Sequence, residues 1–461
     1  MIFIQITYVL AAILFILGIR SLGSPVTARR GMNLASLGMF IAIVGTLFMP
    51  QIVTYKWIIA GLVFGTLLSL PMSLWIPMTK IPQRIALSHA GGALAACLIG
   101  VAEYYRYSSN ISHLSMGIVG IEVMLGALTF TGSLIVAAKL HGTLPGHPIT
   151  YKGQNIVNIS LFSLMIALLG YITLYPELNL QFYILLSLAF LFGVFLVTPI
   201  GAADMPVVIA IFNAYGGLTG AVMGFMLNNR IQIITGALDG ASGFILSMLM
   251  CKAMNRSVTN VLFGAFGKVE DESEKTIKRS GHKEPQSVSV EDALQFFEQA
   301  QSVIIAPGYG MAASQAHHAL RAFADKLKAN GVSVKYAIHP VAGRMPGHMN
   351  VLLAEANVPY TDLFDMEEIN PEFPHTDIAL VVGANDVTNP SARTVKSSPI
   401  YGMPILDVDK AKRVIILKRS MSPGFSGVEN ELFYNDHSWM LFGDAKDSLN
   451  QLAYGYKKSW G

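Results

Sequence analysis

Nine apolar runs, each of about 18 to 22 residues, fill roughly the first 250 positions of this 461-residue chain, and no other feature constrains its fold as strongly. A helix needs about 20 such residues to cross a hydrocarbon core of roughly 30 Å. Inside hydrocarbon every backbone N–H and C=O must find its partner within the segment, so runs of this length predict helices. They fall at about 3–19, 31–49, 56–75, 85–103, 116–138, 157–174, 181–199, 206–226 and 231–251. The first, MIFIQITYVLAAILFILGIR, carries its charge after the apolar stretch and has no basic residue before it. It is expected as a spanning helix and not as a cleaved signal.

An odd number of spans puts the two ends of this half on opposite sides. One set of connections holds Arg20, Arg29, Arg30, Lys80, Arg84, Lys139, Lys152, Lys252 and Arg256, and the other only Lys56, Arg106 and Arg230. The positive-inside rule then places the first set in the cytoplasm, the N-terminus outside and everything after the ninth span in the cytoplasm. Small residues at four-residue spacing in GLVFG (Gly61, Gly65), GGLTGAVMG (Gly216, Gly220, Gly224) and GALDG (Gly236, Gly240) predict close helix approach, hence a bundle. Nine helices are more than an anchor requires, and suggest that something crosses.

Polar groups within spans are costly and therefore informative. Four stand out: His89 in RIALSHAGGALAA, Glu122 in GIEVMLG, Asn213 in AIFNAYGG and Asp239 in TGALDGASG. Histidine alone titrates near neutral pH unaided, so His89 is either a proton carrier or a hydrogen bond to a neighbouring helix. For Asn213, bridging helices is the favoured reading of the residue alone. Glu122 is expected close to the outer boundary, and Asp239, near mid-span, must be paired, protonated or wet. Asp204, in GAADMPVV, is expected to cap a helix start. Cys97 and Cys251 lie in apolar segments far apart, which predicts small core residues and no disulfide or metal framework.

After Met254 the composition changes. Residues 255–288 are rich in charge and predict a mobile linker between a membrane domain at 1–254 and a domain at 289–461. The last part alternates helix VEDALQFFEQA, strand SVIIAP, helix MAASQAHHALRAFADKLKANG, strand VSVKYAIHP, helix HMNVLLAEANV, strands DIALVVGAND and KRVIILKRS, and helix AKDSLNQLAYGY. This alternation predicts a parallel sheet covered on both faces, with ligands at the carboxyl ends of its strands. A net charge of +3 with scattered basic residues excludes nucleic acid as a partner.

Within that domain Gly308-Tyr309-Gly310-Met311-Ala312-Ala313 fits G-x-G-x-x-A/G between a strand and a helix. There, glycines permit a tight turn and close approach, and a helix N-terminus offers N–H groups to a phosphate; the alternative is a tight turn with no ligand. An NAD site of the usual kind also has an acid at the end of the second strand. Here that strand ends in His339-Pro340, followed by VAGRMPG, in which Arg344 suits a pyrophosphate. A later strand ends in Lys418-Arg419-Ser420, which is either phosphate-monoester chemistry or a solvated basic edge. The monoester reading favours NADP over NAD. GANDVTNP brings Asn385 and Asp386 to the same edge, and KRSMSPGFSGV reads as a mobile flap. No Ser-His-Asp, Cys-His or zinc spacing is present, and hydride transfer requires none.

The stretches PGYGMA, HPVAGRMPGHMNVLLAEANVPY, GANDVTNP, VIILKRSMSPGFSGVENELFY, LFGDAK, SHAGGALAA, DMPVVIAIFNAYGG and MCKAMNRS resemble those of the β subunits of proton-translocating NAD(P) transhydrogenases, from the third span to the C-terminus. The resemblance implies a membrane α-helical bundle of about nine spans followed by a cytoplasmic α/β Rossmann-like domain with a parallel sheet. It implies NADP(H) bound in an orientation flipped from that of ordinary Rossmann proteins, which would account for the missing acid.

Carried over, the cofactor contacts would be Gly308, Tyr309, Gly310, Met311 and Ala312, then Val341, Ala342, Gly343, Arg344, Met345 and Pro346. Gly383, Ala384, Asn385, Asp386 and Val387 would follow, with Asp386 near the nicotinamide, together with Gly402 and Met403. Lys418, Arg419 and Ser420 would hold the 2′-phosphate, and Met421, Ser422, Pro423, Gly424 and Phe425 would complete a flap, joined by Asp444 and Ala445. His89 and Asn213 match positions associated with the family's proton path, whereas Asp239 matches none of them and its role stays open.

The implied activity is that of the Si-specific/Re-specific type, NADH + NADP⁺ → NAD⁺ + NADPH with a proton drawn inward. NAD(H) would be held by an α subunit, the assembly would be a dimer of α–β units in contact with membrane lipid, and the location the bacterial inner membrane. The competing expectation is a transporter or channel gated by an NADP-sensing domain.

Overall fold

The structure, a computed structural model, describes residues 2–50, 52, 54–77, 80–106, 111–146, 148–176, 179–201, 204–263, 284–345, 347–396, 398, 400–424 and 426–456. It divides into two compact units, one built on Met1–Gly201 and Val207–Ser247 and the other on Ala202–Pro206, Met248–Val261 and Gly267–Gly461.

Nine long apolar helices occupy the first part: α1 (Ile2–Leu22), α2 (Pro25–Leu47), α3 (Lys56–Leu74), α4 (Ile81–Arg106), α5 (His113–His141), α6 (Gln154–Leu174), α7 (Asn179–Val197), α8 (Met205–Met226) and α9 (Arg230–Ala253). All nine are long and apolar enough to cross a membrane among the described residues, which makes this a multi-pass membrane protein. The glycine reading holds where α8 meets α9: a Cβ on Gly217 would stand 2.2 Å from the amide nitrogen of Gly240, and one on Gly236 would stand 2.3 Å from that of Ala221. The backbones touch because the side chains are absent. It fails for Gly61 and Gly65, which face open space on α3, a helix that buries none of its residues, and for Gly216 on α8, where a Cβ would meet nothing within 4 Å.

Four charged residues differ from expectation. Arg29 and Arg30 lie inside α2, because Pro25 starts that helix earlier than hydropathy indicates. Lys139 is buried on α5, and its Nζ donates to the carbonyls of Thr198 and, at 2.7 Å, Ile200. It therefore satisfies backbone acceptors left beyond the end of α7 and is not a solvent-facing cation. Asp204 accepts a two-pronged bond from Arg256 Nη1, at 2.7 and 2.9 Å, so an ion pair occupies the carboxylate expected to serve as a cap.

In the second unit α10 (Val258–Phe263) forms inside the expected linker, of which residues 264–283 lie outside the described set. Then follow α11 (Val290–Gln299), β1 (Ser302–Pro307), α12 (Tyr309–Ala313), α13 (His317–Ala329), β2 (Ser333–Ile338), α14 (His348–Glu355), β3 (Leu363–Asp365), α15 (Met366–Ile369), β4 (Ile378–Val382), α16 (Ser391–Thr394), β5 (Arg413–Lys418), β6 (Ser438–Phe442) and α17 (Ala445–Gly455). The six strands form one all-parallel sheet in the order β3-β2-β1-β4-β5-β6, the Rossmann-like arrangement.

β4 is buried at every position, as a strand covered on both faces should be. Ile304, Val381 and Ile416 from β1, β4 and β5 meet in one core with Phe373 and Phe433. The helix expected to run on from the glycine turn is broken. Gln315 takes a left-handed φ of +52°, so the chain turns after α12 and restarts as α13.

Candidate functional site

Strand order reverses between β1 and β4, and the loops leaving β1, β2, β4 and β5 gather at the sheet's carboxyl edge, where α/β folds place their ligands. The loop after β1 is the glycine turn. Its amides are already engaged: Gly308 donates to the Val382 carbonyl at 2.9 Å, Gly310 to that of Gly383 at 2.8 Å, and Met311 to that of Gly308 at 3.1 Å. A Cβ on Gly308 would stand 2.4 Å from Ala384 Cα, and one on Gly310 would stand 2.6 Å from Gly383 Cα. The two glycines thus serve the contact between the β1 and β4 loops. The amides of Gly308, Gly310 and Met311 are taken up by carbonyls of these same loops. Gly383 completes the contact with φ of +65°, a left-handed conformation that favours glycine.

The loop after β2 is organised by two buried histidines. His339 Nδ1 accepts from Val341 N at 3.2 Å, so Nε2 carries the proton and donates to the Pro404 carbonyl at 2.8 Å. Burial lowers its pKa to about 4, which keeps a neutral ring where a usual NAD site has an acid. His348 Nδ1 accepts from Arg344 N at 3.1 Å, and burial, aided by the Arg344 charge, lowers its pKa to about 4 as well. That bond aims the Arg344 loop, and the guanidinium carbon sits 4.0 Å over the Tyr309 ring centroid. Burial also lowers the pKa of Arg344. Ala342 and Met345 are buried beneath this loop, with Gly343 at a left-handed φ of +108°. Pro346 lies outside the described residues.

The loops after β4 and β5 are stitched together. The Asp386 carboxylate accepts from Ser426 Oγ at 2.7 Å and Ser426 N at 3.1 Å, and a Cβ on Gly424 would stand 2.5 Å from it. Asn430 Nδ2 donates to the side-chain and backbone oxygens of Asn385, at 3.0 and 3.1 Å. Asn385 Nδ2 is buried without a partner among the described residues. An orphaned buried donor at such an edge suits a ligand acceptor.

Lys418 Nζ donates to the Ser422 carbonyl and lies 4.9 Å from the Phe433 ring centroid; burial lowers its pKa, opposed by Asp386. Ser420 and Ser422 share a 2.9 Å hydroxyl contact, and exposed Arg419 pairs with Asp444 at 3.3 Å. Asp444 also caps α17, which begins at buried Ala445. Val387 is buried, and Met421 packs on the core. Pro423 is exposed, and Phe425 lies outside the described residues. Gly402 has φ of +79°, and Met403 packs on Ala392, Ile400 and Ile405, next to Pro404, whose carbonyl His339 binds.

In the helical unit, Asn213 on α8 donates to Asp239 Oδ1 on α9 at 3.1 Å. His89 on α4 is within electrostatic reach of Asp239 and stands beside Asn213. Glu122, expected near an outer boundary, is fully buried on α5, with neither oxygen hydrogen-bonded among the described residues. It faces α4, where a Cβ on Gly100 would stand 3.3 Å from its carboxyl carbon.

Sequence reading missed His348, whose bond to Arg344 forms inside an irregular loop, and Ser426 and Asn430, whose partners Asp386 and Asn385 are distant in sequence. It also missed a group formed by His317, His318 and Glu355, in which His317 Nε2 lies 3.3 Å from the carboxylate.

A multi-pass helical bundle joined to a Rossmann-like domain, glycine-rich and basic at its switch-point edge, defines a membrane-bound protein of the dinucleotide-dependent type. Residues 4–454 match the model of the family described as NAD(P) transhydrogenase beta subunit. Two relatives named NAD(P) transhydrogenase subunit beta, from Rhodospirillum rubrum and from its strain ATCC 11170, are each 47% identical over 458 residues, covering 97% of this chain and 97% of the relative. The chain belongs to the NAD(P) transhydrogenase beta subunit family. It is therefore an oxidoreductase subunit of a family that uses NADP(H) and NAD(H), and a beta subunit implies an alpha subunit partner.

Proposed function

We propose that the domain from residue 289 onward binds NADP(H) and receives hydride from NADH held by the alpha subunit, while the helices carry a proton inward: NADH + NADP⁺ → NAD⁺ + NADPH, of the Si-specific/Re-specific type. The observation that carries this reading is the pairing of a basic β5 edge with a neutral β2 end. Lys418 and Arg419 offer two cations to a 2′-phosphate, and buried His339 stands where the ribose-binding acid of an NAD site would be.

The residues present suit that cofactor. Arg344, held by His348 and stacked on Tyr309, would take the pyrophosphate. Lys418, Arg419 and Ser420 would exchange their bonds to Ser422 and Asp444 for the 2′-phosphate. The loop from Gly383 to Val387, with the unpaired Asn385 amide and Asp386, would face the nicotinamide end, and the segment from Lys418 to Ser426 would shield it from water. Gly402, Met403, Asp444 and Ala445 would complete the surround. When bound, the nicotinamide supplies the hydride chemistry, and the chain orients it. In the bundle His89 and Asn213 would carry the proton. The spans would lie in a bacterial inner membrane, N-terminus outside and the second unit cytoplasmic, as a dimer of alpha–beta units.

The test is binding by the full chain in detergent. NADPH should bind at least about 100-fold more tightly than NADH, as expected when two charge-assisted contacts of roughly 1.5 kcal/mol each are lost. Equal affinities would overturn the 2′-phosphate assignment.

A further inference from the structure

Asp239 is the polar group that the reading of His89 and Asn213 leaves without a task. A carboxylate on a membrane-spanning helix is costly unless it is paired or wet, and the bundle supplies a partner. The Asn213 amide donates to Oδ1 at 3.1 Å across the α8–α9 contact. That reach depends on Gly243, one turn further along α9, where a Cβ would stand 2.9 Å from Asn213 Nδ2. Asp239 also lines an open, mainly apolar cleft of about 600 Å³ between α1–α2 and α8–α9, whose polar lining includes Thr46, Asn229, Gln232 and Thr235. Among the described residues, the titratable group facing Asp239 from another helix is His89 on α4; α8 contributes the uncharged Asn213.

We propose that Asp239 is a positioning residue for the proton site: it supplies the negative charge that balances His89 when the ring is protonated, and links His89, through Asn213, to the cleft that Asp239 lines. Asn213 is then a hinge between acid and base, donating to the carboxylate through its amide nitrogen. A proton entering by the cleft forms one N–H bond on His89, and the charge it brings is met by the existing Asp239 charge. In exchange one O–H bond of the hydronium that delivers it breaks, leaving water, and no bond to Asp239 changes.

The inference rests on His89 being the proton carrier, and its test separates the two. The alpha–beta complex is reconstituted in vesicles and proton-coupled turnover is measured against pH for His89→Ala, Asp239→Asn and Asp239→Glu. Removing a neighbouring anion disfavours the imidazolium by about one pH unit or more. Asp239→Asn should therefore move the half-maximal point of turnover at least about one unit toward acid, and Asp239→Glu should restore it. NADPH binding serves as the folding control. If His89→Ala abolishes coupled turnover while Asp239→Asn leaves the profile in place, the role of Asp239 is overturned and that of His89 stands. If His89→Ala itself leaves proton movement intact, both fall.

Discussion

Mild acid should loosen the second unit through His339 and His348. Both are fully buried and neutral, with pKa lowered from 6.5 to about 4 by burial. A histidine lowered on folding binds fewer protons than when unfolded, so it leaves stability untouched above pH 6.5. Stability is lost as pH falls from about 6.5, and the loss levels off near pH 4. Between pH 7 and pH 5 each ring costs about 2 kcal/mol by that linkage, and the pair about 4 kcal/mol. The assay is hydrogen exchange of peptides covering β1 and β4 in the full chain, corrected for intrinsic rates. Protection should fall by roughly two to three orders of magnitude, and His339→Gln should remove about half of the pH dependence whatever its own effect on stability. Protection that stays constant from pH 7 to pH 5 would refute the buried neutral rings.

Gly383→Ala should destabilise the same unit by about 2–4 kcal/mol, combining a left-handed residue with a Cβ 2.4 Å from Gly310 Cα; thermal unfolding of the full chain reads it, and an unchanged midpoint would contradict the backbone contact. Lys418→Gln should weaken NADPH binding about 10-fold and leave NADH binding unchanged, a partly exposed charge-assisted contact being worth roughly 1.5 kcal/mol; calorimetry distinguishes this from a general loss of affinity. Ser426→Ala removes a 2.7 Å bond to Asp386 and should raise proteolytic cleavage within residues 418–430 several-fold in the absence of nucleotide, whereas an unchanged cleavage rate would mean that the bond does not restrain the flap.

Periodicity made the architecture legible and left its contacts obscure. The nine helices follow from run length, since hydrocarbon leaves no alternative for such segments. Strand β4 follows from an unbroken apolar run, whereas β3, three residues long, and β6, SWMLF, carry too little pattern to be read. Pro25 and Gln315 moved helix ends by local backbone preference, which hydropathy does not register. The glycine motif was recognisable, but not what its glycines touch, because Gly383 lies more than 70 residues away. The same holds for Asn430 and the Asn213–Asp239 bond: each is a pairing between helices or loops, and one sequence contains no record of distance. Glu122 was misplaced because its position along a helix says nothing about which side of the helix is buried.

The central claim is that nucleotide chemistry in the second unit and proton movement in the first are one process. It is tested most directly by the alpha–beta complex in sealed vesicles, supplied with NADH and NADP⁺, with and without an imposed proton gradient directed toward the face bearing the second unit. The account predicts that the gradient accelerates NADPH formation by roughly an order of magnitude and that His89→Ala removes the acceleration, consistent with a coupling free energy of about 1–3 kcal/mol. NADPH formation at the same rate with and without the gradient, in vesicles shown to be sealed, would contradict it.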